Sequence, residues 1–288
     1  MLLAVRGQHR GALRTPALSL RIIWDCAFMN TKDLAYFKAW FSKYVGAYYT
    51  DDPAHNCNIR LKEEHTTRVC KEIVMLGKAL RLSADDMLLA QTMALFHDIG
   101  RFQQYTTYGT FKDSISENHA KLGLKVLTKH KVLSVCSDVE QMLITKAIGY
   151  HNVRALPEDE DDRCLFFARL LRDADKLDIW RVVIDYYDHR DKTPNSTIEL
   201  DLPNTSTYSP AILNALRQHR TADLKDMITL NDFKLLQISW IYDVNFNPTF
   251  RAVHERQYME KIAATLPQTR EISEVLAVVQ AYLKEQKS

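Results

Sequence analysis

A histidine followed directly by an aspartate, His97-Asp98, is the pair in this chain best suited to hold a metal. It offers an ion one neutral nitrogen and one charged oxygen. Neighbouring side chains on a regular helix point about 100° apart, so both reach one ion only at a helix end or a distortion. Gly100 follows closely and can adopt a left-handed C-cap without steric cost. The run before the pair, Met87 to Phe96, is strongly apolar, with Ala90, Ala94 and Leu95. The segment reads as a buried helix that ends in a metal-binding pair.

Other residues of ligand type share this setting. Leu61, His65, Val69 and Ile73 recur every four positions, so His65 lies on the apolar face of its own helix. His119 lies in Asn118-His119-Ala120-Lys121-Leu122-Gly123, His151 follows Ala147-Ile148-Gly149-Tyr150, and Asp175 lies in Asp173-Ala174-Asp175-Lys176. Taken singly, each histidine reads as a hydrogen-bonded core residue. Set in order around a His-Asp pair, they read as a ligand set.

Helices must carry these residues, and the pattern supplies them. Residues 31–49 form an amphipathic helix with Leu34, Phe37, Phe41, Tyr44 and Tyr48 on one side, capped by Asn30 or Thr31 and ended by Asp51-Asp52-Pro53. The His65 helix is expected over about 60–81. Ser83-Ala84-Asp85-Asp86 is a near capping box for the helix that delivers His97 and Asp98. A polar loop is expected from Arg101 to Ser114, either a lid over the site or a plain connection. Helices then follow from Ile115 to Lys129, from Ser137 or Asp138 to His151, and over 163–188. The cluster of Pro, Asn, Thr and Ser from His189 to Ser209 reads as a long loop. Further helices are expected over 210–219, 222–243, 248–265 and 270–286, with apolar mass from Trp240, Tyr242, Phe246, Phe250 and Tyr258.

Composition narrows the class. The chain has 288 residues, enough for one large domain or a domain with an extension. Only 8 Gly and 8 Pro occur, and helix formers dominate, so an almost wholly helical protein follows. A formal charge of +2 gives no electrostatic reason for an obligatory nucleic-acid partner. No apolar run approaches the roughly 18 residues of a membrane span. The 5 cysteines, Cys26, Cys57, Cys70, Cys136 and Cys164, form no Cys-x-x-Cys pair, which favours free thiols in a reducing cytoplasm over disulfides or zinc-thiolate ligation. Residues 1–28 carry Arg6, Arg10, Arg14 and Arg21 without a long apolar core. They read as a disordered or non-catalytic leader, with Met29 a second candidate start.

In the order His, His-Asp, His, His, Asp the chain resembles the HD-domain superfamily of metal-dependent phosphohydrolases. The resemblance is carried by His65-Thr-Thr-Arg68-Val69, Leu95-Phe-His97-Asp98-Ile-Gly100, His119-Ala-Lys-Leu-Gly123, Ala147-Ile-Gly-Tyr-His151 and Ala174-Asp175-Lys176, and it covers roughly residues 60–185. Mononuclear members need only His65, His97, Asp98 and Asp175. The additional His119 and His151 resemble the dinuclear branch, which includes HD-GYP phosphodiesterases and HD-type diadenosine tetraphosphate hydrolases. No Gly-Tyr-Pro follows His151, and Asn152 stands where the HD-GYP class has a second histidine.

The resemblance implies an all-α fold, an HD-domain helical bundle over 29–190 with a C-terminal helical extension over 191–288 packed on it. It implies metal ligation by His65, His97, Asp98, His119, His151 and Asp175, with two divalent ions. Imidazole and carboxylate donors suit Fe, Mn, Co, Ni or Zn. Asp98 would bridge the ions, one taking His65, His97 and Asp175 and the other His119 and His151. A metal-activated water would then attack a phosphoester or phosphoanhydride in a small phosphorylated substrate such as a nucleotide. Arg68, Arg101 and Lys176 are the expected substrate contacts, and Asp98, Arg101 and Lys176 the expected catalytic residues; Lys62 and Arg154 are further candidates. Two other functions use the same ligands: an HD-type diiron oxygenase, told apart by oxygen consumption, and a non-enzymatic nucleotide- or metal-sensing module.

Overall fold

The computed structural model describes residues 29–190, 192 and 194–286, and no strand occurs among them. The expected leader, residues 1–28, lies outside the described residues. Helix α1 (Thr31–Gly46) starts in a capping box between Asn30 and Asp33 and buries Leu34, Phe37, Phe41 and Val45. Helix α2 (Pro53–Ala79) starts well before the expected position. Asp52 accepts from the Ala54 amide at 2.9 Å and Pro53 fills the first turn. The Asp-Pro step therefore opens a helix rather than closing one, because a proline at that position gives up an amide that would have no partner anyway.

Helix α3 (Ala84–Phe96) is capped by Ser83 and is buried almost all round in its second half. After the His97-Asp98-Ile99 turn the chain runs directly into α4 (Gly100–Tyr108), where a loop was expected. The polar composition of this stretch hides a helix that is partly buried. Phe102 is enclosed, and the Gln104 amide donates at 2.8 Å to Asp113, to Ser116 and to the Glu117 carbonyl. Gly109, at φ 66°, ends α4, and a single 3-10 turn at Asp113–Ile115 precedes α5 (His119–Lys129).

Gly100 is not the left-handed C-cap that its position suggests. It opens α4 with its back against α5, where a Cβ would lie 2.2 Å from the His119 carbonyl oxygen and 2.5 Å from the Gly123 nitrogen. Close approach, not backbone handedness, is what requires glycine here.

Helix α6 (Asp138–Tyr150) begins with a Ser137–Glu140 capping box, and α7 (Asp162–His189) begins where Asp161 accepts from the Arg163 and Cys164 amides. Helix α7 is the central post, with Leu170, Leu171, Ala174, Leu177 and Trp180 fully enclosed. The long connection after it contains one short turn, α8 (Ser196–Glu199), before α9 (Pro210–Arg217).

The expected helix over 222–243 is shorter. A 3-10 turn at Leu224–Asp226 comes first, and a Thr229–Asp232 capping box then starts α10 (Leu230–Ser239). The expected helix over 248–265 is divided. Gln257, at φ 55°, separates α11 (Asn247–Glu255) from α12 (Tyr258–Ala263). Helix α13 (Arg270–Glu285) closes the described chain and packs on α9.

The later helices share the core of the earlier ones. Helices α11 and α12 lie on α7, and α11 also reaches α2. Trp180 donates its indole N–H to the Gln237 carbonyl at 2.8 Å, and Arg256 grips Glu72 of α2 through two nitrogens at 2.7 and 2.9 Å. The fold is thus all-α, a helical bundle with a C-terminal helical extension. Cys57, Cys70, Cys136 and Cys164 are free thiols, and among the described residues no helix is long and apolar enough to cross a membrane.

Candidate metal centre

Six buried or nearly buried side chains converge at the centre of the bundle. His65 comes from the middle of α2 and Asp175 from the middle of α7, while the other four sit at helix ends. His97 caps the C-terminus of α3 with Asp98 beside it, His119 is the first residue of α5, and His151 caps the C-terminus of α6. The helical backbone at His97 (φ −55°, ψ −41°) continues the turn of α3, and the change of direction into α4 lets both members of the pair face inward.

The outer nitrogen of each imidazole is committed. His97 Nδ1 donates to the Ala94 carbonyl at 2.8 Å and His151 Nδ1 to the Ile148 carbonyl at 2.6 Å. His65 Nδ1 meets Asp178 Oδ2 at 2.7 Å, and His119 Nδ1 meets Asp113 Oδ2 at 2.8 Å. A carbonyl can only accept, so Nδ1 of His97 and of His151 carries the proton. Their Nε2 atoms are then bare lone pairs whenever the rings are neutral.

These inner nitrogens face one another in pairs. His65 and His97 approach Nε2 to Nε2 at 3.3 Å, and His119 and His151 at 3.0 Å. Asp98 stands between the pairs. Its Oδ2 lies 3.6 and 3.8 Å from Nε2 of His65 and His97, and its Oδ1 lies 3.3 and 3.8 Å from Nε2 of His119 and His151. Asp175 Oδ1 joins the first pair at 3.1 and 3.5 Å, and no hydrogen bond satisfies this buried oxygen.

Donor atoms bound to one ion at about 2.1 Å stand roughly 3.0–3.4 Å apart. The observed spacings fall at and just above that range. Within His65, His97 and Asp98, and again within Asp98, His119 and His151, the donor atoms all lie within 4.8 Å of one another. Facing lone pairs and an orphaned carboxylate oxygen are costly unless a cation lies among them. The residues present therefore fit a divalent metal.

Charge around the cluster is arranged to keep the carboxylates ionised. Burial would raise Asp98, but Lys62, then His97 and Arg101, hold it well below the usual carboxylate range. Asp175 is likewise held low against burial by the nearby imidazoles of His65 and His97. Burial and the Arg101 charge push His119 down to about 3, so its ring is neutral, the form that ligates. Burial opposes a charge on His65, but Asp175 and Asp178 outweigh it and raise its proton affinity. The same carboxylates would raise its basicity toward a metal.

The expected cations divide. Arg101 faces the cluster, with Nε 3.4 Å from Asp98 Oδ1 and Nη1 held by Gln104, by the Phe111 carbonyl at 2.6 Å and by Asp113. Lys62, three residues before His65 on the same helix face, places Nζ 2.9 Å from Asp98 Oδ2. Arg68 instead binds Asp178 at 2.6 Å and so supports His65 from behind. Lys176 is turned to Asp243, 2.5 Å away, and Arg154 pairs with Asp223 at the surface. For Lys176 the reason is geometric, since residues adjacent on a helix cannot share a face.

Two carboxylates of the centre were missed. Asp178 carries a signal, because it lies three residues after Asp175 and so near the same face of α7. Asp113 carries none, being one acid in what reads as a polar loop. His55, His130, His189, His219 and His254 take no part in either donor group.

Residues 63–180 match the model of the HD domain. Neither the curated proteins nor the solved structures gave a match. The matched range contains all six converging residues, and their buried cluster fits the metal-binding site of that domain. Over residues 63–180 the chain is thus similar to the HD domain in sequence and in its buried cluster of histidines and aspartates.

Proposed function

We propose that the protein is a metal-dependent phosphohydrolase acting on a phosphoester or phosphoanhydride in a small substrate such as a nucleotide. The observation that carries this reading is the shared carboxylate. The two oxygens of Asp98 face separate histidine pairs, and two cations, Lys62 and Arg101, stand at that same carboxylate. Fixed cations beside an ion site favour a phosphoryl group over an uncharged substrate.

In this reading His65, His97, Asp98 and Asp175 would hold one ion, and Asp98, His119 and His151 a second. Divalent ions such as Fe, Mn, Co, Ni or Zn would there lower the pKa of a water and offset charge on the phosphoryl oxygens. The chain's own part is to orient and to bind. Arg101 is preorganised, because Gln104, the Phe111 carbonyl and Asp113 already fix one arm of its guanidinium. Lys62 and Arg101 both lie near the Phe111 ring, at 5.4 and 5.8 Å from its centroid, which lines their approach to the centre. We assign binding of phosphate to Lys62 and Arg101, and support of His65 to Arg68.

The catalytic unit is assigned to residues 29–190 and the extension to 191–288, since all six ligands and both cations precede residue 190. The free thiols suit a reducing compartment such as the cytoplasm.

The test is a screen of phosphomonoesters, phosphodiesters and nucleotides with protein reconstituted with each of these metals. Phosphate or nucleoside monophosphate release and oxygen uptake are followed together. Metal-dependent release, lost on chelation, is the expected result. Oxygen uptake with a mixed-valent iron signal and no release would overturn it.

A further inference from the structure

Among the described residues, His151 is held at its backbone by an arginine that is itself anchored beyond the matched domain. It caps the C-terminus of α6, where the last carbonyls of a helix have no intrahelical donor. One side chain meets two of them and a third carbonyl just beyond the helix. Arg172 of α7 donates from Nη1 to the carbonyls of Tyr150, His151 and Val153 at 3.2, 3.3 and 2.6 Å. This arginine is 6% exposed, so its charge must be met inside the protein. Its Nη2 donates to Asp243 Oδ2 at 2.6 Å.

Asp243 ends the 3-10 turn Trp240–Asp243, beyond the matched domain. It is itself fixed. Lys176 binds the same oxygen, and the amides of Asn245 and Phe246 donate to Asp173 of α7 at 3.1–3.2 Å and 3.1 Å. The supports of His65 and His97, namely Asp178, Arg68 and the Ala94 carbonyl, all lie within residues 63–180.

We propose that Asp243, acting through Arg172, is a positioning residue for His151, so that the C-terminal extension completes the His119/His151 half of the centre and not the His65/His97 half. This rests on the two-ion reading. Loss of a partner that orients a ligating histidine costs about 10–100-fold in metal affinity. The effect is expected on one ion only.

The test is a manganese titration of metal-stripped full-length protein, with bound metal counted and helical circular dichroism recorded. Wild type should bind two ions. Asp243→Asn should bind the first as wild type does and the second about 10–100-fold more weakly. Arg172→Lys keeps the charge but cannot span three carbonyls and a carboxylate, and should show the same selective loss. The control is Asp223→Asn, which removes a surface pair with Arg154 on the same extension and should change neither ion.

Wild-type binding of both ions by the two test variants would overturn the proposal. So would equal weakening of both ions, or loss of the helical signal in both variants, which marks a folding contact. A wild type that binds a single ion would overturn it too. Absence of phosphoester hydrolysis in a two-ion protein would sink the functional reading and leave this one standing.

Discussion

The two histidine pairs at the centre share one wiring plan and differ in what backs it. In each pair one ring donates to a carboxylate, His65 to Asp178 and His119 to Asp113. In each, the other ring donates to the carbonyl three residues earlier, His97 to Ala94 and His151 to Ile148. The carboxylates differ. Asp178 sits inside α7, has no exposed side-chain surface and is braced by Arg68 at 2.6 Å. Asp113 lies in the connection between α4 and α5 with 29% of its side chain exposed, and is held by Arg101, Gln104 and Asn152. The first pair is backed by a carboxylate inside a helix, the second by one in a connection. Groups fixed by a packed scaffold hold their geometry better than groups fixed by loops. The first pair should therefore hold its ion more tightly than the second.

The largest effect is expected where the two halves meet. Asp98→Ala removes the only carboxylate that faces both pairs, so metal analysis should find both ions lost and any turnover gone. Retention of one ion would show that the halves are independent.

Next comes the weaker half. Asp113→Asn should lower affinity for the second ion about 10–100-fold and leave the first unchanged, as read by metal titration. Equal weakening of both would erase the difference between the pairs.

Lys62→Gln separates ions from substrate. Lys62 touches Asp98 and the Phe111 face and supports no histidine. Both ions should remain, while kcat/KM on a phosphorylated substrate falls roughly ten- to a hundredfold, the cost of about 1.5–3 kcal/mol for one charge-assisted bond. Arg101→Ala is a less clean probe, because Arg101 also holds Asp113 and would disturb the second pair.

Gly100→Ala gives the smallest effect, on the joint between halves. A Cβ there meets the His119 carbonyl and Gly123, so Tm should fall by the equivalent of about 1–3 kcal/mol of overpacking. Gly46→Ala, with nothing within 4 Å, should leave Tm unchanged or raise it. Equal behaviour of the two would mean that α4 and α5 separate freely.

Much of this arrangement can be read in the sequence, and the gaps have physical causes. Helical periodicity places His65 on a buried face, and the capping residues Asn30, Ser83 and Ser137 mark starts that the structure keeps. The six converging residues stand out because each lies where a helix is buried or ends. Helix α4 is hidden because Gln104 is buried through bonds to a segment 9–13 residues away, which no local pattern records. Asp113 is hidden with it. Lys176 draws notice because it follows Asp175 in the chain, yet Lys62, three residues from His65, is the lysine on the centre's face. The breaks at Gln257 and before Leu230 come from backbone handedness and capping, which apolar spacing does not reveal.

A crystal structure of the metal-reconstituted protein, with the ions located by anomalous scattering, tests the centre most directly. Two peaks are predicted, one on each side of Asp98, each about 2.0–2.2 Å from its histidine nitrogens. The peak beside His119 and His151 should be the first to fade as metal is withdrawn. A single peak, a pair that fades together, or peaks away from Asp98 would contradict the two unequal halves described for this centre.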